Sequence, residues 1–210
     1  MDLDGQVHRW PLTVDQTDVF FDISVTDESL RTLFYEITLS AAEVWSDVDN
    51  SIIRVKPATI DVTSQITIYF ESSIAGGDMA AGYSIFDDIK DGVPQHCSVH
   101  IAADSNSDSY NLSKTTLHEM GHCLGLGHSL VPSSIMSYSL EKNSFGLAMD
   151  DEAAIARLYP ADGSRAKLAP GCAVGSRRQS GGQPSVIFIL FIAPVCLVGL
   201  SKIMRRLLKN

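Results

Sequence analysis

Residues 118–128 read His118-Glu119-Met120-Gly121-His122-Cys123-Leu124-Gly125-Leu126-Gly127-His128. His118 and His122 are four apart, so on a helix they leave from one face. Two imidazoles so spaced can grip one Zn²⁺. Glu119 stands beside the first of them and can reach the open side of an ion without displacing a ligand. Gly125 permits a sharp turn, in a backbone conformation that costs other residues energy. That turn brings His128 back as a third nitrogen. Three protein nitrogens leave one position of a tetrahedral ion open, which marks a catalytic site rather than a closed structural one. Five fixed residues at these spacings arise by chance in about one chain in 10⁵ on average composition.

Working outward, a long first helix is predicted over 27–48. Its apolar residues Leu30, Leu33, Phe34, Ile37, Ala41, Val44, Trp45 and Val48 recur near the i, i+3, i+4, i+7 pattern, and Thr26 or Asp27 can cap it. Strands are predicted at 20–25, at 98–102, and at 65–70, where Ile66, Ile68 and Phe70 share one side. Residues 71–95 are rich in Gly and Asp and read as loop, apart from one strand at 81–86. A second helix begins after Asn111 or Ser113 and carries the first two histidines. A third spans 150–158 and stops at Pro160. No internal repeat is present. The order of elements indicates an α+β fold, a twisted sheet covered by helices.

With these residues in place, the chain resembles the metzincin zinc endopeptidases, and most of all their matrixin branch, in which the third histidine is followed by Ser, here Ser129. Ser134-Ile135-Met136-Ser137-Tyr138 is similar to the Met-turn that runs beneath the metal. Residues 150–160, beginning Asp150-Asp151-Glu152, resemble the last helix of matrixin catalytic domains, and the helix at 27–48 with Trp45 has its counterpart there. The resemblance covers residues 8–160 and is most specific at 114–138. It implies an α+β, metzincin-like zincin fold: a twisted mixed sheet, a long first helix and an active-site helix. It also implies one catalytic Zn²⁺ on His118, His122 and His128, Glu119 as general base, and a protein or peptide substrate. Met136 would form the floor under the ligands, and residues 129–149 the specificity pocket.

The pattern departs from matrixins in places. They usually carry Pro two residues after the Met of the turn, and this chain has Tyr138. The spelling is nearer to serralysins and astacins, where this Tyr lies near the metal and can stabilise the oxyanion. That implies a catalytic role for Tyr138; core packing is the other reading. His96 and His100, with Asp87 and Asp88 nearby, are what remains of the ligand set of the matrixin structural zinc. Asp104-x-Asn106-x-Asp108 is either half of a Ca²⁺ loop lacking its Gly at the sixth position or a solvated acidic loop.

Charge divides the chain. It has 210 residues, with 16 Lys+Arg against 25 Asp+Glu and a net charge of −9. Residues 161–210 hold eight basic side chains and one acid, and the first 160 hold eight against 24. A body at −16 is a poor match for nucleic acid, because phosphate binding needs clustered positive charge. The basic end contains an apolar run over 185–204, about 30 Å long as a helix at ~1.5 Å per residue. Lys202, Arg205, Arg206 and Lys209 lie in or beyond it and favour a cytoplasmic C-terminus with the acidic body outside. The same layout resembles the C-terminal sorting signals of bacterial surface proteins, in which case processing releases the body. The expected organisation is a peptidase domain at 1–160, a Gly/Pro/Ser linker at 161–184, a transmembrane or sorting helix at 185–204 and a basic tail at 205–210. Residues 1–11 show no signal peptide, so either the start lies upstream or the chain inserts by its tail.

Cys97 and Cys123 both lie in the body. They are either a disulfide suited to an oxidising compartment or two buried thiols. Three functions compete. The first is metal-assisted peptide hydrolysis. The second is a surface-anchored, non-catalytic metal-binding or adhesion module on the same fold, which predicts a missing base or ligand. The third is a cytoplasmic tail-anchored adaptor with incidental histidines, which a Cys97–Cys123 bond would contradict.

Overall fold

Alternating apolar residues build the sheet. The computed structural model describes residues 8–74, 81–104, 107–138 and 146–162. The strands are β1 (Asp18–Val25), β2 (Arg54–Pro57), β3 (Ile66–Glu71), β4 (Gly82–Lys90) and β5 (Val93–Ala102), in the spatial order β2-β1-β3-β5-β4. Neighbours are parallel except β4, which pairs antiparallel with β5 at one edge. In β3, Ile66, Ile68 and Phe70 are buried and the residues between them are half-exposed, the period-2 pattern of a one-sided sheet. Val19, Phe21 and Ile23 of β1 and Cys97, Val99 and Ile101 of β5 continue the same inner face.

Two helices cover that face. A single 3₁₀ turn over Glu28–Leu30, capped by the Asp27 carboxylate accepting from Ser29 N, leads into α1 (Arg31–Ser46). Helix α1 buries Phe34, Ile37, Ala41, Ala42 and Trp45. Phe34 stacks on Phe70 of β3, with ring centroids 4.3 Å apart. Helix α2 (Ser109–Cys123) lies beside α1, and α3 (Met149–Leu158) follows. The fully buried Trp45 donates its indole N–H to Leu117 O at 2.9 Å, joining α1 to the residue before His118. Truncating such a residue costs about 3–5 kcal/mol.

The α+β mixed sheet and the helices agree with the sequence, and the main differences lie at β2, at the β4–β5 hairpin and at the start of α2. Strand β2 was not predicted: it has four residues, ends in Pro57 and buries only Val55, too little period to detect. Strands β4 and β5 run into the stretch read as loop. Asp91 (φ 52°) and Gly92 (φ 77°) form the tight turn between them, and Asp-Gly is a hairpin signal. Helix α2 starts earlier than expected, because the Asp108 carboxylate accepts from Tyr110 N and Asn111 N and so caps it. The linker, apolar segment and basic tail expected at 161–210 lie outside the described residues after Asp162.

Candidate metal centre

Helix α2 presents His118 and His122 from one face and ends in a motif that returns the chain toward them. Gly125 N donates to His122 O at 2.8 Å and Leu126 N to Gly121 O at 3.0 Å. With Gly125 at φ 94°, this is the paired-bond ending that a left-handed residue permits. A side chain at Gly125 would also collide with His8 O. The remaining carbonyls of the last turn are satisfied from outside the helix: Trp10 Nε1 donates to Cys123 O and Tyr159 Oη to Leu124 O, each at 2.9 Å. Burial pushes the Tyr159 hydroxyl pKa up, so it stays a donor.

Beyond the turn, His128 meets the other two. Ring centroids are 4.8 Å apart for His118–His122, 4.6 Å for His122–His128 and 5.3 Å for His118–His128. One nitrogen of each ring lies within 4.8 Å of the others, and among the described residues this is the only cluster of three or more metal-ligand side chains. Two rings are held by backbone carbonyls. His118 Nδ1 lies 2.6 Å from Ile135 O and His122 Nδ1 2.8 Å from Leu126 O. A carbonyl only accepts, so each Nδ1 carries the proton and each Nε2 keeps its lone pair. Burial, reinforced by the other two imidazoles and opposed by the Leu126 bond, pushes His122 down to about 3. Burial and His118 also lower His128. Neutral, carbonyl-oriented imidazoles are what zinc ligation requires, so the donor set fits the ion.

The other predicted site residues surround this cluster. Glu119 is buried, and burial raises its carboxyl pKa against the opposing electrostatic pull of the neighbouring His118 imidazole and a bond from Ser84. It lines a cleft of about 180 Å³ with Ala81, Gly82, Thr115, Ser137 and Tyr138. Tyr138 is 73% exposed, so core packing does not account for it. Its ring stacks on His128 with centroids 4.3 Å apart. Met136 is buried and packs against Gly121 and Trp45, beneath the helix. Cys97 and Cys123 are bonded, with Cα atoms 5.7 Å apart.

His96 and His100 do not join in a second cluster among the described residues. His96 bonds Asp87 and Thr67, and Ser98 donates to the same Asp87 carboxylate. His100 bonds Glu71 at 3.1 Å and lies sandwiched between the rings of Tyr69 and Tyr83. Of the Ca²⁺ half-loop, Asp104 accepts from Ser107 and Asp108 caps α2, while Asn106 lies outside the described residues. Sequence reasoning missed Gly82 and Thr115 in the cleft wall and Ser84, which bonds Glu119; Gly82 and Ser84 arrive there because β4 passes over α2. It also missed Asp151 as a support of the Met-turn, a contact no local spacing encodes.

The matrixin peptidase family model matches residues 15–160. This chain belongs to the matrixin family. It is 43% identical over 68 residues to matrilysin of Rattus norvegicus, covering 31% of this chain and 24% of that protein. It is 30% identical over 200 residues to metalloendoproteinase 2-MMP of Arabidopsis thaliana, covering 83% of this chain and 49% of that protein. The matrixin described here thus spans about a quarter to a half of the length of these relatives.

Proposed function

We propose that this matrixin is a zinc-dependent endopeptidase that hydrolyses internal peptide bonds of protein substrates. The observation that carries the reading is the convergence of His118, His122 and His128, two of them tautomer-fixed by backbone carbonyls, beside the buried Glu119 at the cleft. Held by His118, His122 and His128, a zinc ion would supply Lewis acidity toward water and the scissile carbonyl. Glu119 takes the proton from the attacking water and delivers it to the leaving amine nitrogen. Its burial holds the carboxyl pKa up, which suits it to both acceptance and return of a proton. The Tyr138 hydroxyl, on a ring stacked against His128, donates to the developing oxyanion.

The body acts outside the cytoplasm, tethered by the apolar segment at 185–204 or released from it. The Cys97–Cys123 bond supports an oxidising compartment and speaks against a cytoplasmic adaptor. The non-catalytic module predicts a lost ligand or base, and all four residues are present. Glu119→Ala tests the reading: cleavage of unfolded casein is expected to vanish while zinc content and thermal unfolding stay as in the wild type. A wild type that binds zinc and leaves casein intact would overturn it.

A further inference from the structure

Among the described residues, the deepest ionisable side chain outside the ligand set is Asp151 on α3, 1% exposed. Its carboxylate accepts from four donors: Ser134 Oγ, Ile135 N at 2.9 Å, Met136 N at 3.3 Å and Ala148 N at 2.8 Å. Two of these amides flank Ile135 in the Met-turn. The peptide unit between Ile135 and Met136 is shared. Its N–H is shared at one end between Asp151 Oδ1 at 3.3 Å and Ser134 Oγ at 3.0 Å, a hydroxyl that itself donates to Asp151, and its C=O accepts the His118 Nδ1 proton at the other. We infer that Asp151 is a positioning residue for metal binding, acting on His118 through this single peptide bond.

Two physical effects support the inference, which rests on the reading of His118 as a zinc ligand. A negative charge at the N–H end of an amide polarises it, and hydrogen bonds in such a chain strengthen one another. The Ile135 carbonyl thereby holds the imidazole proton more firmly and leaves Nε2 a better donor to the ion, as outer partners of metal-ligating histidines do. The second effect is geometric. The carboxylate fixes both amides of the turn, so the carbonyl cannot rotate away from the ring. Because Ala148 N also bonds Asp151, the start of α3 is coupled to the ligand set.

The test measures zinc affinity by chelator competition, the visible spectrum of the cobalt-substituted protein, and thermal unfolding of the metal-free protein. Asp151→Asn and Asp151→Glu are compared with Ile155→Ala, which opens a cavity one turn further along the same helix and leaves the Asp151 carboxylate in place. The Asp151 variants are expected to lose about 10–100-fold in zinc affinity and to alter the cobalt spectrum. Ile155→Ala is expected to lower the unfolding temperature and leave affinity within about threefold of wild type. A folded Asp151 variant with wild-type affinity and spectrum overturns the inference, as does an equal loss in Ile155→Ala. Wild-type amide exchange gives a readout that no folding defect can obscure: zinc loading is expected to slow exchange at Met136 and at Ala148, and unchanged protection at both overturns the coupling. His118→Ala separates this from the underlying reading, because unchanged zinc affinity there would remove His118 as a ligand altogether.

Discussion

Cys97 on β5 is bonded to Cys123, the residue after His122 on the last turn of α2. The helix that carries two of the three clustered histidines is therefore fastened covalently to the sheet beneath it, at the end from which the chain turns toward His128. The bond closes a loop with a sequence separation of 26. Chain-entropy arithmetic for that length gives about 3.5 kcal/mol of stabilisation. The paired substitution Cys97→Ser with Cys123→Ser is expected to lose most of it, read as a lower denaturant midpoint in urea. Zinc affinity is expected to fall with it, because the end of α2 gains freedom next to His122.

Close packing under the helix gives a sharper mutation. A methyl group at Gly121 would meet Met136 Sδ at 2.5 Å and Trp45 Cζ2 at 2.8 Å. Gly121 lies between the two histidines of α2 and lets the helix sit directly on the Met-turn. Gly121→Ala is expected to destabilise the protein by about 1–3 kcal/mol through overpacking, despite the better helix propensity of Ala. Equilibrium unfolding of the metal-free variant checks the figure.

Acid should weaken the metal-free protein through His122. The unfolded chain takes up this proton near the ordinary value of 6.5, and the folded chain only near 3. Between those values the unfolded state holds the extra proton, so stability falls as pH drops through that window and levels off below it. His122→Gln is expected to flatten this part of the profile. Unfolding temperature measured from pH 7 to pH 3 for both metal-free proteins decides it, and equal slopes would refute the assignment.

Tyr138 offers a separation of roles. Tyr138→Phe keeps the ring on His128 and removes only the hydroxyl. If the hydroxyl stabilises the oxyanion, kcat is expected to fall about 10²-fold with KM and zinc affinity unchanged. A variant with wild-type kcat would reduce Tyr138 to a packing partner of His128.

Much of the site was legible in one dimension. The i, i+4 pair His118 and His122, Glu119 beside it and the turn at Gly125 depend on helix geometry and on φ, which neighbouring residues set. The inner face of β3 was legible for the same reason, since Ile66, Ile68 and Phe70 follow a local period. Strand β2 was not, because Val55 is its single buried side chain and the parallel pairing with β1 crosses a long interval of chain. The hairpin of β4 and β5 carried a local signal at Asp91-Gly92 that the acidic composition around it obscured.

The sequence by itself determined the candidate metal-ligand set, because ligand type, spacing and the turn are properties of a short segment. Only the tertiary structure decided what holds that segment in place. The Cys97–Cys123 bond, the Trp45 N–H on Leu117, the passage of Gly82 over Thr115 and Glu119, and the three Met-turn donors gathered on Asp151 each join residues distant in the chain. Such contacts arise where the sheet and helices bury a common face, and no periodicity within one element records which partner lies across it.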